Sequence, residues 1–145
     1  MEAPVPASAP DTPALVPVHG SGKHVLHVDD DEALVFLFKR FLERKGFRVS
    51  GYTDPRVALA AARAAPDCFD LAVTDFDMPA MSGLEVARSL REIRADLPVV
   101  VASGCITEEL RAKAPAAGVR ELIYKPNTVH ELCEAVACLA KALPG

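Results

Sequence analysis

The chain has 145 residues, half of them apolar and a quarter charged, with a formal net charge of −4. That suffices for one domain with a real core and is too little for two. An acidic balance with no basic patch argues against nucleic-acid binding, and no apolar run approaches a membrane span, so the composition points to a cytoplasmic protein whose partner is another protein.

Residues 1–22 read as a disordered Pro/Ala-rich tail or linker. Pro4, Pro6, Pro10, Pro13 and Pro17 alternate with Ala and Val before Gly20-Ser21-Gly22. Proline blocks helix and sheet hydrogen bonding, and little apolar surface is present to offset ordering entropy. The segment holds no Lys or Arg and its apolar stretches are broken, which argues against a secretory signal.

From residue 23 to 143, apolar strands alternate with amphipathic helices. The expected strands are His24–Val28, Phe47–Tyr52, Phe69–Thr74, Pro98–Ala102 and Arg120–Tyr124. The expected helices are Asp31–Lys45, Pro55–Ala64, Gly83–Ala95, Thr107–Ala117 and Thr128–Leu143. Leu71-Ala72-Val73 and Val99-Val100-Val101 are continuous apolar runs, as strands covered on both faces require. Leu34, Leu37, Phe38, Phe41 and Leu42 form a stripe along the first helix, and Val129, Leu132, Cys133, Val136, Ala140 and Leu143 form one along the last. Gly46 is placed to stop the first helix. Five such units predict an α/β fold, a parallel sheet with helices on both faces.

Ligands of such sheets bind outside the carboxyl ends of the strands. Asp29-Asp30 follow the first strand, Asp75 the third, Ser103 the fourth and Lys125 the fifth. Three carboxylates in one pocket repel one another and call for a hard cation. Mg²⁺, with Mn²⁺ as a substitute, favours such oxygen ligands and the phosphoryl oxygens it would share with them. A carboxylate beside that ion is a competent nucleophile on phosphorus. Asp31 reads as a helix N-cap. Pro79 forces an extended exit from the loop after Asp75, and Gly83 lets the chain turn into the next helix.

The acidic pair in Val-Asp-Asp, the Asp-x-x-Met-Pro-x-x-x-Gly loop, the hydroxyl residue after the fourth strand and Lys-Pro after the fifth resemble the response-regulator receiver domain of two-component signalling. The resemblance covers Lys23 to Leu143. It implies a doubly wound, flavodoxin-like five-stranded parallel sheet of order 2-1-3-4-5. It further implies that Asp75 is the phosphoacceptor, with Ser103 and Lys125 contacting the phosphoryl group. Asp30 would bind Mg²⁺ directly, Asp29 largely through water, and the backbone carbonyl of Asp77 would complete the site. The donor would be a histidine kinase or histidine phosphotransfer protein. The domain would catalyse only its own phosphorylation and dephosphorylation, and would stand alone or form the terminal receiver of a hybrid sensor histidine kinase.

This chain departs from the family pattern in places. Leu122 stands where many members carry an aromatic switch, with Tyr124 beside the lysine instead. Asn127 replaces a common Phe, and Pro115 falls late in the fourth helix. Asp77 and Cys105 occupy positions that influence dephosphorylation in the family, which implies an unusual phosphoryl lifetime. Two other functions compete. Asp75-Phe76-Asp77 superficially resembles the Asp-x-Asp of haloacid-dehalogenase-like phosphohydrolases, but there the acidic pair follows the lysine, and here it comes first. A phosphorylation-independent scaffold is opposed by the complete set of site residues.

The remaining polar residues read as structural. His24 and His27 are expected to be satisfied or half-exposed, and His130 to be a surface histidine. Cys68, Cys105, Cys133 and Cys138 show no metal-type pairing and read as buried or half-buried thiols in a reducing compartment. Val35 and Phe36 fall off the first helix's stripe. Either the stripe is broad, or the pair forms a docking contact for the phosphodonor.

Overall fold

The computed structural model describes residues 22–143. Nearly all of the expected tail therefore lies outside the described residues. The element order is β1 (His24–Val28), α1 (Glu32–Arg44), β2 (Arg48–Tyr52), α2 (Pro55–Ala64), β3 (Leu71–Asp75), α3 (Gly83–Ile93), β4 (Val99–Ser103), α4 (Glu108–Lys113), β5 (Glu121–Tyr124) and α5 (Val129–Lys141). All strand pairs are parallel, and the sheet order is β2-β1-β3-β4-β5. The expected architecture and strand order are both present.

Strand alternation divides the core into two layers. Leu26, Val28, Ala72, Val99 and Val101 pack with α2, α3 and α4 side chains such as Leu59, Leu90 and Leu110. Val25, Leu71, Val73, Val100 and Ala102 pack with Phe38 and Leu42 of α1 and with Leu132 and Val136 of α5. Each helix begins on a residue that accepts hydrogen bonds from the first turn: Asp31, Asp54, Ser82, Thr107 and Thr128. Such caps satisfy amides that the helix leaves unpaired. Ser82 and Glu85 bond each other's backbone reciprocally. Gly46, at φ 94°, turns the chain out of α1 as expected.

Several expectations need correction. β3 begins at Leu71, not Phe69, because Pro66–Cys68 form a 3-10 turn that delays the strand. α4 is only six residues long, and Pro115 opens a second 3-10 turn where the helix was expected to continue. Proline has no amide to donate to the helix. Leu37 is 40% exposed. At about 100° per residue it lies about 100° from the fully buried Phe38, whereas Val35 lies only about 60° away. Val35 is half-buried and belongs to the stripe, while Phe36, on the opposite side, is 58% exposed.

The cysteines divide differently from expectation. Only Cys133 is buried; Cys68, Cys105 and Cys138 are exposed. Cys68 lies in the 3-10 turn, Cys105 in the loop after β4, and Cys138 outside the buried stripe of α5. His27 is neither satisfied nor half-exposed. It shares the inward face of β1 with Val25, stacks on Phe38 at 3.7 Å between ring centroids, and leaves Nδ1 without a hydrogen-bond partner. Its period-two relation to Val25 was the overlooked signal.

Candidate functional site

Strand ends bring the site together. Asp29 follows β1, where its amide donates to the Tyr52 carbonyl at 3.1 Å. Asp75 closes β3, with its main chain held on two sides. The Phe76 amide donates to the Ala102 carbonyl at 2.9 Å, and the Thr74 hydroxyl donates to the Asp75 carbonyl at 3.0 Å. Gly83, at the start of α3, packs against this same stretch. A Cβ there would lie 2.6 Å from the Asp75 carbonyl oxygen and 2.9 Å from the Phe76 Cα. Only glycine allows α3 to sit this close beneath the loop.

Carboxylate oxygens of Asp29, Asp30 and Asp75 lie within 4.8 Å of one another. Asp29 and Asp75 are buried, while Asp30 faces solvent. Lys125, just past β5, reaches over both buried acids. Its Nζ donates to Asp29 Oδ2 at 2.8 Å and to Asp75 Oδ1 at 3.1 Å. The Lys125 amide donates to the Ser103 carbonyl at 2.8 Å, which fixes the root of that reach. The second oxygen of Asp29 accepts from the Asp31 amide at 2.9 Å.

The electrostatics follow from this crowding. Burial, followed by the charge of Asp29, pushes the Asp75 carboxyl up to about 6, with Lys125 acting in the opposite sense. Burial works against charge on Lys125, but its bonds to Asp29 and Asp75 outweigh it and raise the ammonium above its ordinary value. Burial, with Lys125 adding to it, drives His27 down to about 3, so a neutral ring lies beneath the site. The donor set is three hard oxygen ligands with excess negative charge, which fits a hard divalent cation. A bound cation would oppose the upward push on Asp75.

Four of the six expected residues converge directly: Asp29, Asp30, Asp75 and Lys125. Ser103 is buried at the end of β4, but its hydroxyl is engaged locally. It donates to the Cys105 carbonyl at 2.8 Å and accepts from the Cys105 amide at 3.2 Å. Asp77 is exposed on the loop after β3. Thr74, whose hydroxyl holds the Asp75 carbonyl, supports the site and was not singled out from the sequence. Beside Asp30, a cleft of about 460 Å³ is lined by Thr53, Asp54, Arg56, Met78 and Pro79.

Comparisons with known proteins agree with this fold. The family described as the response regulator receiver domain matches residues 25–137. The transcriptional regulatory protein PrrA of Mycobacterium leprae is 34% identical over 122 residues, covering 83% of this chain and 51% of that protein. The sensory/regulatory protein RpfC of Xanthomonas campestris is 32% identical over 120 residues, covering 80% of this chain but only 16% of its own length. This chain thus spans about half or less of these curated relatives. The solved chemotaxis protein CheY4 of Vibrio cholerae superimposes with a TM-score of 0.71 at 26% identity, covering 79% of this chain and 96% of that one. Among the described residues, no helix is long and apolar enough to cross a membrane. With its sheet order, its clustered acids and its lysine, the chain belongs to the response regulator receiver domain family.

Proposed function

We propose that this signalling module is a phosphoacceptor switch in which Asp75 takes a phosphoryl group from a phosphohistidine donor. The observation that carries the reading is the Lys125 ammonium bridging two buried carboxylates, in a trio of acids whose oxygens lie within 4.8 Å. Asp29, Asp30, Asp75 and the Asp77 carbonyl would hold Mg²⁺ or Mn²⁺. When bound, the ion supplies charge stabilisation for the phosphoryl oxygens. An Asp75 oxygen attacks phosphorus, the P–N bond breaks, and its electron pair leaves with the donor imidazole. Lys125 then transfers part of its hydrogen bonding from Asp75 to the new phosphoryl oxygens. Ser103 exchanges its bond to the Cys105 carbonyl for one to phosphate, which releases the loop leading into α4. That exchange would couple phosphorylation to a change of protein-binding surface.

The donor would be a histidine kinase or histidine phosphotransfer protein in the cytoplasm, with no direct contact to nucleic acid. Asp77 and Cys105 would set the phosphoryl lifetime, which Asp77→Asn and Cys105→Glu would each alter in a decay assay. The primary test is intact-protein mass after incubation with acetyl phosphate, with and without Mg²⁺, on wild type and Asp75→Asn. The expected result is a Mg²⁺-dependent gain of one base-labile phosphoryl group, absent from the variant. No adduct and no Mg²⁺ binding would leave a phosphorylation-independent scaffold. Steady phosphate release from many substrates would favour a phosphohydrolase.

A further inference from the structure

At the opposite end of the sheet, β1 begins with a histidine held between a thiol and a hydroxyl. His24 Nδ1 lies 3.3 Å from Cys68 Sγ, and His24 Nε2 lies 2.7 Å from Ser50 Oγ. Cys68 is exposed, in the 3-10 turn before β3. Ser50 comes from β2, where it is paired with Leu26 of β1. The ring is fixed further by Phe69, at 4.6 Å between centroids. The main chain beneath it is anchored as well. The His24 amide donates to Asp70 Oδ2 at 2.8 Å, and the Asp70 amide donates to the His24 carbonyl at 2.8 Å. Three elements distant in sequence thus place a nucleophile and a positioning hydroxyl on the two ring nitrogens of one base. That is the arrangement by which proteins activate thiols.

We propose that Cys68 is a thiol-modification site, with His24 as its base and Ser50 as the positioning residue. In the tautomer whose Nε2 proton is donated to Ser50 Oγ, the Nδ1 lone pair faces the thiol. A low-molecular-weight disulfide is the fitting co-reactant. Cys68 Sγ attacks one sulfur, the S–S bond of the disulfide breaks, and a mixed disulfide forms at Cys68. The thiol proton moves to His24 Nδ1 and then to the departing thiolate, so the products are the mixed disulfide and one free thiol. Burial, then Arg48 of β2, holds His24 below its ordinary pKa, with Lys39 of α1 adding to this, while a ring bond to the Cys68 main chain and then Asp70 oppose it. The imidazole is therefore neutral and able to accept a proton near neutral pH. This site is independent of the acidic pocket and of the phosphoacceptor reading.

The test uses the full chain with 2-hydroxyethyl disulfide, an uncharged probe, and site-resolved mass spectrometry of each cysteine over time. Exposed Cys105 and Cys138 serve as internal references, and buried Cys133 as the monitor of unfolding. Cys68 is expected to react about tenfold faster than either reference, and His24→Gln to remove most of that advantage. Ser50→Ala is expected to slow Cys68 severalfold while leaving Cys105 and Cys138 unchanged. If His24→Gln also exposes Cys133, the fold is compromised and Ser50→Ala decides the question. A Cys68 no faster than Cys138, or one indifferent to Ser50→Ala, overturns the proposal.

Discussion

Replacing His27 by leucine tests the account of the ring beneath the site. The imidazole is 1% exposed, and its Nδ1 has no partner. Burial brings its pKa from 6.5 down to about 3. The unfolded chain therefore takes up a proton that the folded chain refuses. Folded stability falls as pH drops from 6.5 toward about 3, because only the unfolded state gains the proton in that window. The slope approaches about 1.4 kcal/mol per pH unit, which sums to about 3 kcal/mol by about pH 4. Leucine has a similar volume and no titrating group. At about pH 8 the variant should lie within about 1.5 kcal/mol of wild type, with lost stacking on Phe38 set against the removed polar atom. Urea unfolding of both proteins, followed by circular dichroism between about pH 8 and pH 4, reads the difference. The gap should move in favour of leucine by about 3 kcal/mol as the solution is acidified. A gap that stays constant across that range would mean the ring takes up its proton equally in the folded and unfolded states, and the burial argument would fail.

Other perturbations have equally definite outcomes. Asp75 carries the opposite linkage. Its folded pKa, about 6, lies above the ordinary 3.8, so its stabilising share is complete below 3.8 and lost as pH rises through about 6. Asp75→Asn should therefore gain stability relative to wild type between acid and neutral pH, read from urea midpoints. Gly83→Ala brings a Cβ to 2.6 Å from the Asp75 carbonyl oxygen. It should cost about 1–3 kcal/mol in urea unfolding and slow phosphorylation by acetyl phosphate; unchanged behaviour would show that α3 can shift freely. Lys125→Met leaves Asp29 and Asp75 without their common donor. The metal-free variant should melt lower than wild type, and Mg²⁺ should raise its midpoint more than that of wild type. Equal Mg²⁺ shifts would indicate that the lysine and the ion do not offset the same charge.

The alternation of covered strands with helices and the acidic trio could be read in advance because each rests on a local rule, whereas the strand order followed only from the family resemblance. Continuous apolar runs mark covered strands, and polar residues directly after them mark the open end of a parallel sheet. What escaped depended on three-dimensional partners. Val35 and Leu37 exchange roles because the centre of the α1 stripe is set by Phe38 against α5 and the sheet, and the spacing of leucines does not reveal that centre. The burial of His27 follows from its alternation with Val25, which puts both on the face packed against α1, but the missing partner of its Nδ1 depends on Phe38 covering the ring. Ser103 was placed correctly at its strand end. Its hydroxyl orientation depends on the Cys105 loop closing back on it, which no spacing rule encodes.

The Lys125–Asp29 contact joins residues 96 positions apart, and Lys125–Asp75 joins residues 50 apart. β5 sits at the far edge of the sheet, beyond β4. Loop-closure entropy grows slowly with length, yet it must be met before any reward arrives. A folding chain that has joined β1 and β3 but not docked β5 already holds its acids together without their ammonium. Where β5 docks after the barrier, the electrostatic gain comes late, and the expected outcome is that changes at Lys125 register chiefly in the unfolding rate. On that order of events, the lysine is the latch on a sheet already formed.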